Sequence, residues 1–287
     1  MSAAALLALA AALCFAVALI LTQYGLRTVP SWRSPLYTIG GSMVAAWIAS
    51  LVFVDWRGFD GRAAALFAAV GCIFPVVVSI LAVRGNEALG PAISGAVGNV
   101  TPLFAVLAAV LLLGETLTWI QFAGLLMVVA GVALMALRGG AGGRRWPVWM
   151  LGLPLAAALV RGVIQPAIKA GLSLWHEPLA AAAIGYTLSA VVIVALVGRR
   201  ALAAGPVDRI GLLWFLGVGM SNGMATFLLY AALGLGSITL VAPLVALFPM
   251  VTVVLSYLFL RNERLHAIGL LGILVSVGGV VLLLAGT

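Results

Sequence analysis

Residues 113–131 read LGETLTWIQFAGLLMVVAG, and residues 261–279 read RNERLHAIGLLGILVSVGG. Each places a Glu nine residues before a Gly and a second Gly seven further on: Glu115, Gly124 and Gly131, then Glu263, Gly272 and Gly279. Between 115–135 and 263–283, nine of 21 positions are identical. A pattern that recurs 148 residues later in a chain of 287 points to two related halves. The surroundings say where those halves reside. The chain is 65% hydrophobic and 8% charged, with mean hydropathy +1.28, whereas a soluble domain is about 25% charged. Such a surface belongs in lipid, so the fold class is an all-α integral membrane protein. Internal repetition in a membrane chain is a mark of transporters built from two halves.

Crossing ~30 Å of hydrocarbon takes about 20 apolar residues in a helix. Ten such runs can be cut: 3–22, 35–54, 63–83, 90–113, 117–137, 147–168, 178–198, 210–233, 236–260 and 265–285. The first has no Lys or Arg before it and is expected to be a membrane helix rather than a cleavable leader. The basic, Gly-rich stretch RGGAGGRRW at 138–146 reads as a linker. It divides a first five-helix repeat, 1–137, from a second, 147–287. Pro102 then matches Pro249, Ser79 matches Thr226, and Pro75 matches Asn222. Five helices per half is an odd number, so the second half enters from the opposite face, as an inverted repeat.

Net charge +8 is read by position. Loops between runs 1–2, 3–4, 5–6, 7–8 and 9–10 hold 11 Arg, and the opposite side holds Arg57, Arg62 and Lys169. The positive-inside rule predicts both termini outside the cytoplasm, with a bacterial inner (plasma) membrane as the expected location. Trp32, Trp56, Trp119, Trp146, Trp149 and Trp175 stand at run ends, as an interfacial belt would. Cys14 and Cys72 lie within apolar runs, where packing suits them better than a disulfide. No nucleic-acid-binding motif is present. The expected partners are the lipid bilayer and a small-molecule substrate; the sequence sets no oligomeric state, and a monomer is compatible with it.

The pattern P-L-F-x-V-L-x-A-V-L-L-L-G-E-x-L-T-x-x-Q-x-x-G-x-x-x-x-x-x-G-V over 102–132 resembles the signature of the drug/metabolite transporter superfamily, EamA type. The second copy, Pro249 to Val280, is looser, with Arg261-Asn262-Glu263 in place of L-G-E. The resemblance covers the whole chain and is greatest to bacterial amino-acid exporters of the YddG kind. It implies ten helices in an inverted pair of halves, a substrate cavity between them, and export of amino acids or other small metabolites.

Polar groups inside a membrane cost free energy, so each needs a reason. Arg161 lies about 14 residues into the sixth run, ~21 Å along it. Its matching position in the first half is Phe15, so this charge breaks the internal symmetry. Either it receives a substrate carboxylate, or it snorkels or bonds helix-end carbonyls. Gln165 shares its face one turn on. In the eighth run, Ser221, Asn222 and Gly223 stand near the centre and, with Pro75 in the counterpart, are expected to loosen helices around a site. Packing through Gly219-x-x-x-Gly223 is the alternative. Asn99, Ser79 and Thr226 are further candidates for the cavity wall, and Thr101 is expected to bond its own helix. Pro102 and Pro249 are candidate bending points; Tyr24 and Tyr230, toward opposite helix ends, are candidate gates. Glu115 and Glu263 suit helix N-termini, where a carboxylate meets free N–H groups. With Gly124, Gly131, Gly272 and Gly279 they read as scaffold.

No G-x-x-x-x-G-K-[ST] occurs, so ATP is not expected to drive the chain. No Asp or Glu lies at a run centre, which disfavours cationic cargo. His176 and His266 are far from any ligand cluster, and no cofactor or metal is expected. The reading is a secondary transporter of amino acids, neutral or aromatic, working by alternating access. Nucleotide-sugars, organic phosphates or drugs are alternative cargo. An intramembrane enzyme or a structural subunit is the last alternative; an enzyme should show a nucleophile with its base or a metal cluster, and the sequence has neither.

Overall fold

The computed structural model describes residues 2–89, 94, 97–136, 147–260 and 267–286. The expected linker 138–146 and Glu263 lie outside the described residues, as do Trp146 and His266. Among the described residues there is no strand. Six helical stretches are long and apolar enough to cross a membrane, and four shorter apolar helices accompany them.

The first run is α1, Ala3–Gly25; Ser2 precedes it, its Oγ accepting the Ala5 N–H at 3.3 Å. The second is α2, Ser34–Phe53. The third is not continuous. It forms α3, Gly61–Ile73, and α4, Val76–Leu89, broken at Phe74-Pro75, where the peptide bond is cis. Pro75 has no N–H to continue the ladder, and Ser189 takes up carbonyls left at the break, its Oγ bonded to Gly71 O at 2.6 Å and Phe74 O at 2.9 Å. The fourth run turns at Asn99 and Val100 and continues as α5, Thr101–Leu113, with Pro102 in its first turn. Gly114, at φ +66°, ends it in the left-handed conformation that glycine adopts freely.

The fifth run is α6, Trp119–Ala136. Its start is a capping box: Thr118 Oγ1 accepts the Gln121 N–H at 3.2 Å, and Gln121 Oε1 accepts the Thr118 N–H at 3.0 Å. The L-T-x-x-Q of the repeated pattern is therefore a helix start. The sixth run is α7, Gly152–Leu174, ending later than the sequence reading set it. Arg161 is thus close to mid-helix, not past it, and Lys169 is a helix residue rather than a loop residue. The seventh and eighth runs are α8, Pro178–Ala203, and α9, Arg209–Leu235. The expected loosening at Ser221-Asn222-Gly223 does not occur; α9 runs unbroken through them. The ninth run divides into α10, Ile238–Val245, and α11, Phe248–Leu260, with a turn at Ala246 and Leu247. The last is α12, Ala267–Ala285. The turn at 99–100 and the turn at 246–247 are 147 residues apart, the same offset that relates Pro102 to Pro249.

Small residues let the helices meet closely. Helix α1 packs along α9, α9 along α2, α2 and α3 along α8, and α5 along α7. At the α2–α9 crossing a Cβ on Gly219 would lie 2.8 Å from Gly41 Cα, and Ser42 Oγ donates to Gly219 O at 2.8 Å. The repeated motif forms its own pair: α6 packs on α12. A Cβ on Gly124 would meet Gly279 O at 2.7 Å, and one on Gly131 would meet Gly272 O at 2.6 Å. The glycines of the two copies thus form the two faces of one helix crossing.

Trp175 departs from the expected belt. It is 4% exposed and packs against Trp56, Phe59 and Phe67. Trp119 and Trp149 do face outward, at 85% and 71% exposed. Cys14 and Cys72 are free thiols.

Candidate functional site

A cavity of ≈ 270 Å³ lies among α1, α2, α4, α5 and α7–α11, and among the described residues α3, α6 and α12 contribute nothing to its lining. Three of its walls come from chain breaks. Phe74 and Pro75 line it where the third run breaks, Asn99 where the fourth turns, and Ala246 where the ninth turns. Most of the remaining surface is apolar or aromatic, including Phe15, Ile39, Ile164, Ile168, Leu229 and Phe248. Phe15 and Phe248 pack ring to ring at 6.1 Å between centroids.

Into this apolar space α7 presents Arg161 and, one turn on, Gln165. Arg161 forms no hydrogen bond or ion pair with any described residue. A guanidinium at mid-helix costs about 2.5–3.5 kcal/mol on insertion scales, and this one faces the cavity with no described residue paired to it. Gln165 is 8% exposed, and its Oε1 is buried without a partner. Arg161 and Gln165 thus share one helical face, the guanidinium paired with no described residue and the amide oxygen buried without a partner. That pair of groups is complementary to a ligand carrying a carboxylate and a hydrogen-bond donor.

The candidates from the sequence separate clearly. Ser79, Asn99, Thr101, Pro75, Pro102, Asn222, Thr226 and Tyr230 line the same cavity as Arg161 and Gln165. Thr101 bonds back to Gly98 O at 2.8 Å, and Thr226 is held by Tyr186, the two hydroxyls 2.7 Å apart. Ser79, Asn99, Asn222 and Tyr230 make no side-chain hydrogen bond with a described residue and so face the cavity unpaired. Ser221 does not line it. It points to α1, donating to Cys14 O at 2.7 Å. Gly223 backs onto Ser42, where a Cβ would lie 3.5 Å from Ser42 Cα. Pro249 sits in the first turn of α11, outside the lining. Tyr24 is stacked on Trp214 at 4.9 Å, with Arg27 over its ring.

Glu115 performs a different task from the one its position suggested. It does not cap α6. Its Oε1 accepts from Lys169 Nζ at 2.6 Å and from the Ile238 N–H at 2.9 Å, and its Oε2 accepts from the Thr239 N–H at 3.0 Å. It therefore caps α10, 123 residues away in sequence. Lys169 also donates to Gly236 O at 2.7 Å. Burial raises the carboxyl's pKa, but the Lys169 hydrogen bond, the two amides and the Lys169 charge outweigh it and hold the group below the usual carboxylate range. The junction ties α5, α7 and α10 together at one end of the bundle, the end that also holds the Trp47–Trp56–Trp175 stack.

Sequence reasoning missed Tyr186 and Ser189. Both are single hydroxyls in an apolar run, and only the fold reveals that they satisfy Thr226 and the break at Phe74. Among the described residues no three His, Cys, Asp or Glu come together as a metal site would.

Comparison with known proteins agrees with this architecture. A solved crystal structure of a protein superposes over 100% of this chain and 99% of its own length, with TM-score 0.84 at 19% identity. A "probable terminal-alkyne amino-acid exporter" from Streptantibioticus cattleyicolor is 40% identical over 70 residues. That match covers 24% of this chain and 23% of the relative. The model of the EamA-like transporter family matches twice, over residues 2–137 and 148–285. An all-helical apolar chain matched from residue 2 to residue 285 belongs to the EamA-like transporter family, within the drug/metabolite transporter superfamily.

Proposed function

We propose that this transporter exports neutral amino acids with apolar or aromatic side chains by alternating access. One observation carries the reading: the unpaired Arg161 guanidinium at mid-helix, in a cavity whose other walls are largely apolar and aromatic. Its fork receives the substrate carboxylate in a bidentate pair. The Gln165 Oε1, without a partner of its own, accepts from the substrate ammonium. The substrate side chain lies against Phe15, Phe74 and Phe248. The partial likeness to an exporter named for an amino acid with an alkyne side chain supports the same class.

The proposed topology is ten spans in two inverted halves, 1–137 and 147–287. Two family matches of similar length and helix turns at equivalent positions support it. The Arg bias of the loops supports extracytoplasmic termini in a bacterial plasma membrane. Turns at Asn99 and Ala246, followed by Pro102 and Pro249, supply places where the halves can flex while substrate stays bound.

Counterflow in proteoliposomes tests the substrate. Vesicles preloaded with unlabelled leucine, phenylalanine or tryptophan are expected to accumulate external labelled phenylalanine transiently, and vesicles preloaded with lysine or UDP-glucose are not. Accumulation driven by the nucleotide-sugar and not by amino acids would reject the assignment.

A further inference from the structure

We propose that the groove between the start of α2 and the end of α8 is a binding site for an anionic phospholipid. Its phosphate is held by Arg33 and Arg200, and an acyl chain lies along Leu36, Val194 and Gly198. The groove has a volume of ≈ 510 Å³ and shares no lining residue with the substrate cavity.

Arg33 is 6% exposed. Its Nη2 donates to Tyr37 Oη at 3.2 Å, Ala201 O at 3.0 Å and Gly205 O at 2.8 Å, all neutral acceptors. Its Nε is buried with no partner. The Trp32 ring lies 5.7 Å from the Arg33 guanidinium and 4.4 Å from that of Arg200, so two cations share one aromatic ring. An aromatic ring attracts cations but carries no counter-charge, and no carboxylate pairs with either arginine among the described residues. Two uncompensated guanidiniums beside a Trp form a site for an external anion.

The groove decides which anion. Its wall continues from Arg33 as Leu36 and Val194, and Leu202 is 84% exposed beside it. Gly198 leaves the floor open, because a Cβ there would meet only Val194 of its own helix, at 3.2 Å. An inorganic phosphate would use the arginines and leave this surface bare, whereas a phospholipid uses both. In a membrane protein, a basic pocket between helices at the Trp level is where anionic headgroups settle.

The test uses the purified full chain, stripped of lipid in detergent. Thermal unfolding is followed while phosphatidylglycerol, phosphatidylcholine with the same acyl chains, or glycerol 3-phosphate is added. Phosphatidylglycerol is expected to raise the midpoint by several degrees, and the other two by less than one. Arg33→Gln also removes the ties to Ala201 and Gly205, so the informative variants are Arg200→Gln and Gly198→Leu. Each is expected to keep the lipid-free midpoint and lose most of the phosphatidylglycerol shift. An equal shift with phosphatidylcholine, a full shift with glycerol 3-phosphate, no shift with any of the three, or a full shift retained in both variants overturns the proposal.

Discussion

Glu115→Gln removes one negative charge and leaves the side-chain volume almost unchanged, so its effect reports the junction alone. In the wild type, two carboxylate oxygens serve three donors: Lys169 Nζ, the Ile238 N–H and the Thr239 N–H. A Gln has one acceptor oxygen, and its amide N–H must face either the ammonium or a backbone N–H, donor against donor. A charge-assisted hydrogen bond contributes about 1.5–3 kcal/mol, and a helix cap about 0.5–2 kcal/mol. Lys169 remains 28% exposed with Gly236 O as a partner, which softens the loss. The expected destabilisation is therefore ~2–3 kcal/mol. At about 2–4 °C per kcal/mol for a chain of this order of size, the midpoint of detergent-solubilised protein should fall by roughly 5–10 °C. The pH dependence follows from the lowered carboxyl pKa. The junction's contribution is complete above the unfolded carboxyl pKa of about 4.3 and is lost as pH falls through the lower folded value. Wild type should lose stability on acidification through that window more steeply than Glu115→Gln. A variant melting within one degree of wild type, or the same acid sensitivity in both proteins, would show that the Glu115 junction does not hold the bundle.

Gly279→Val places a Cβ 2.7 Å from Gly124 O and should lower the midpoint sharply, at about 1–3 kcal/mol of overpacking. Gly278→Ala, whose Cβ meets only the free end of Met127 at 3.1 Å, should melt as wild type does. Tyr186→Phe strips the 2.7 Å partner from buried Thr226 and should destabilise by about 1–2 kcal/mol, read by the same melts. Gln165→Met should weaken competition by phenylalanine in counterflow about tenfold while leaving competition by its deaminated acid unchanged. Equal weakening of both compounds would separate Gln165 from the ammonium.

The sequence made several features legible because they depend on local chemistry. Apolar run length marked the apolar helices, six of them long enough to cross a membrane, and the recurring glycines marked a close helix crossing, that of α6 with α12. Most of the polar candidates converge on one cavity because a polar side chain deep in an apolar run has few other places to go. What failed depended on distance in sequence. Nothing near Glu115 reveals that its partners are Lys169, Ile238 and Thr239, because the helix it caps begins 123 residues on. Ser221 and Asn222 are adjacent and equally polar, yet the 100° step between them sends one to Cys14 and the other to the cavity. Small residues at 221–223 suit either a loosened helix or close packing, and the structure has the packing: Gly219 and Gly223 lie against Gly41 and Ser42, and α9 runs unbroken through them. The L-T-x-x-Q box is legible as a helix start from its spacing alone.

The central claim is that Arg161 receives the substrate's carboxylate, and counterflow of labelled phenylalanine by Arg161→Gln tests it most directly, with phenylalanine and its decarboxylated amine as competitors. The account predicts that wild type is inhibited by phenylalanine and hardly by the amine, and that the variant, folded and melting normally, loses counterflow and this discrimination together. Undiminished counterflow in the variant, with the amine still excluded, would contradict it.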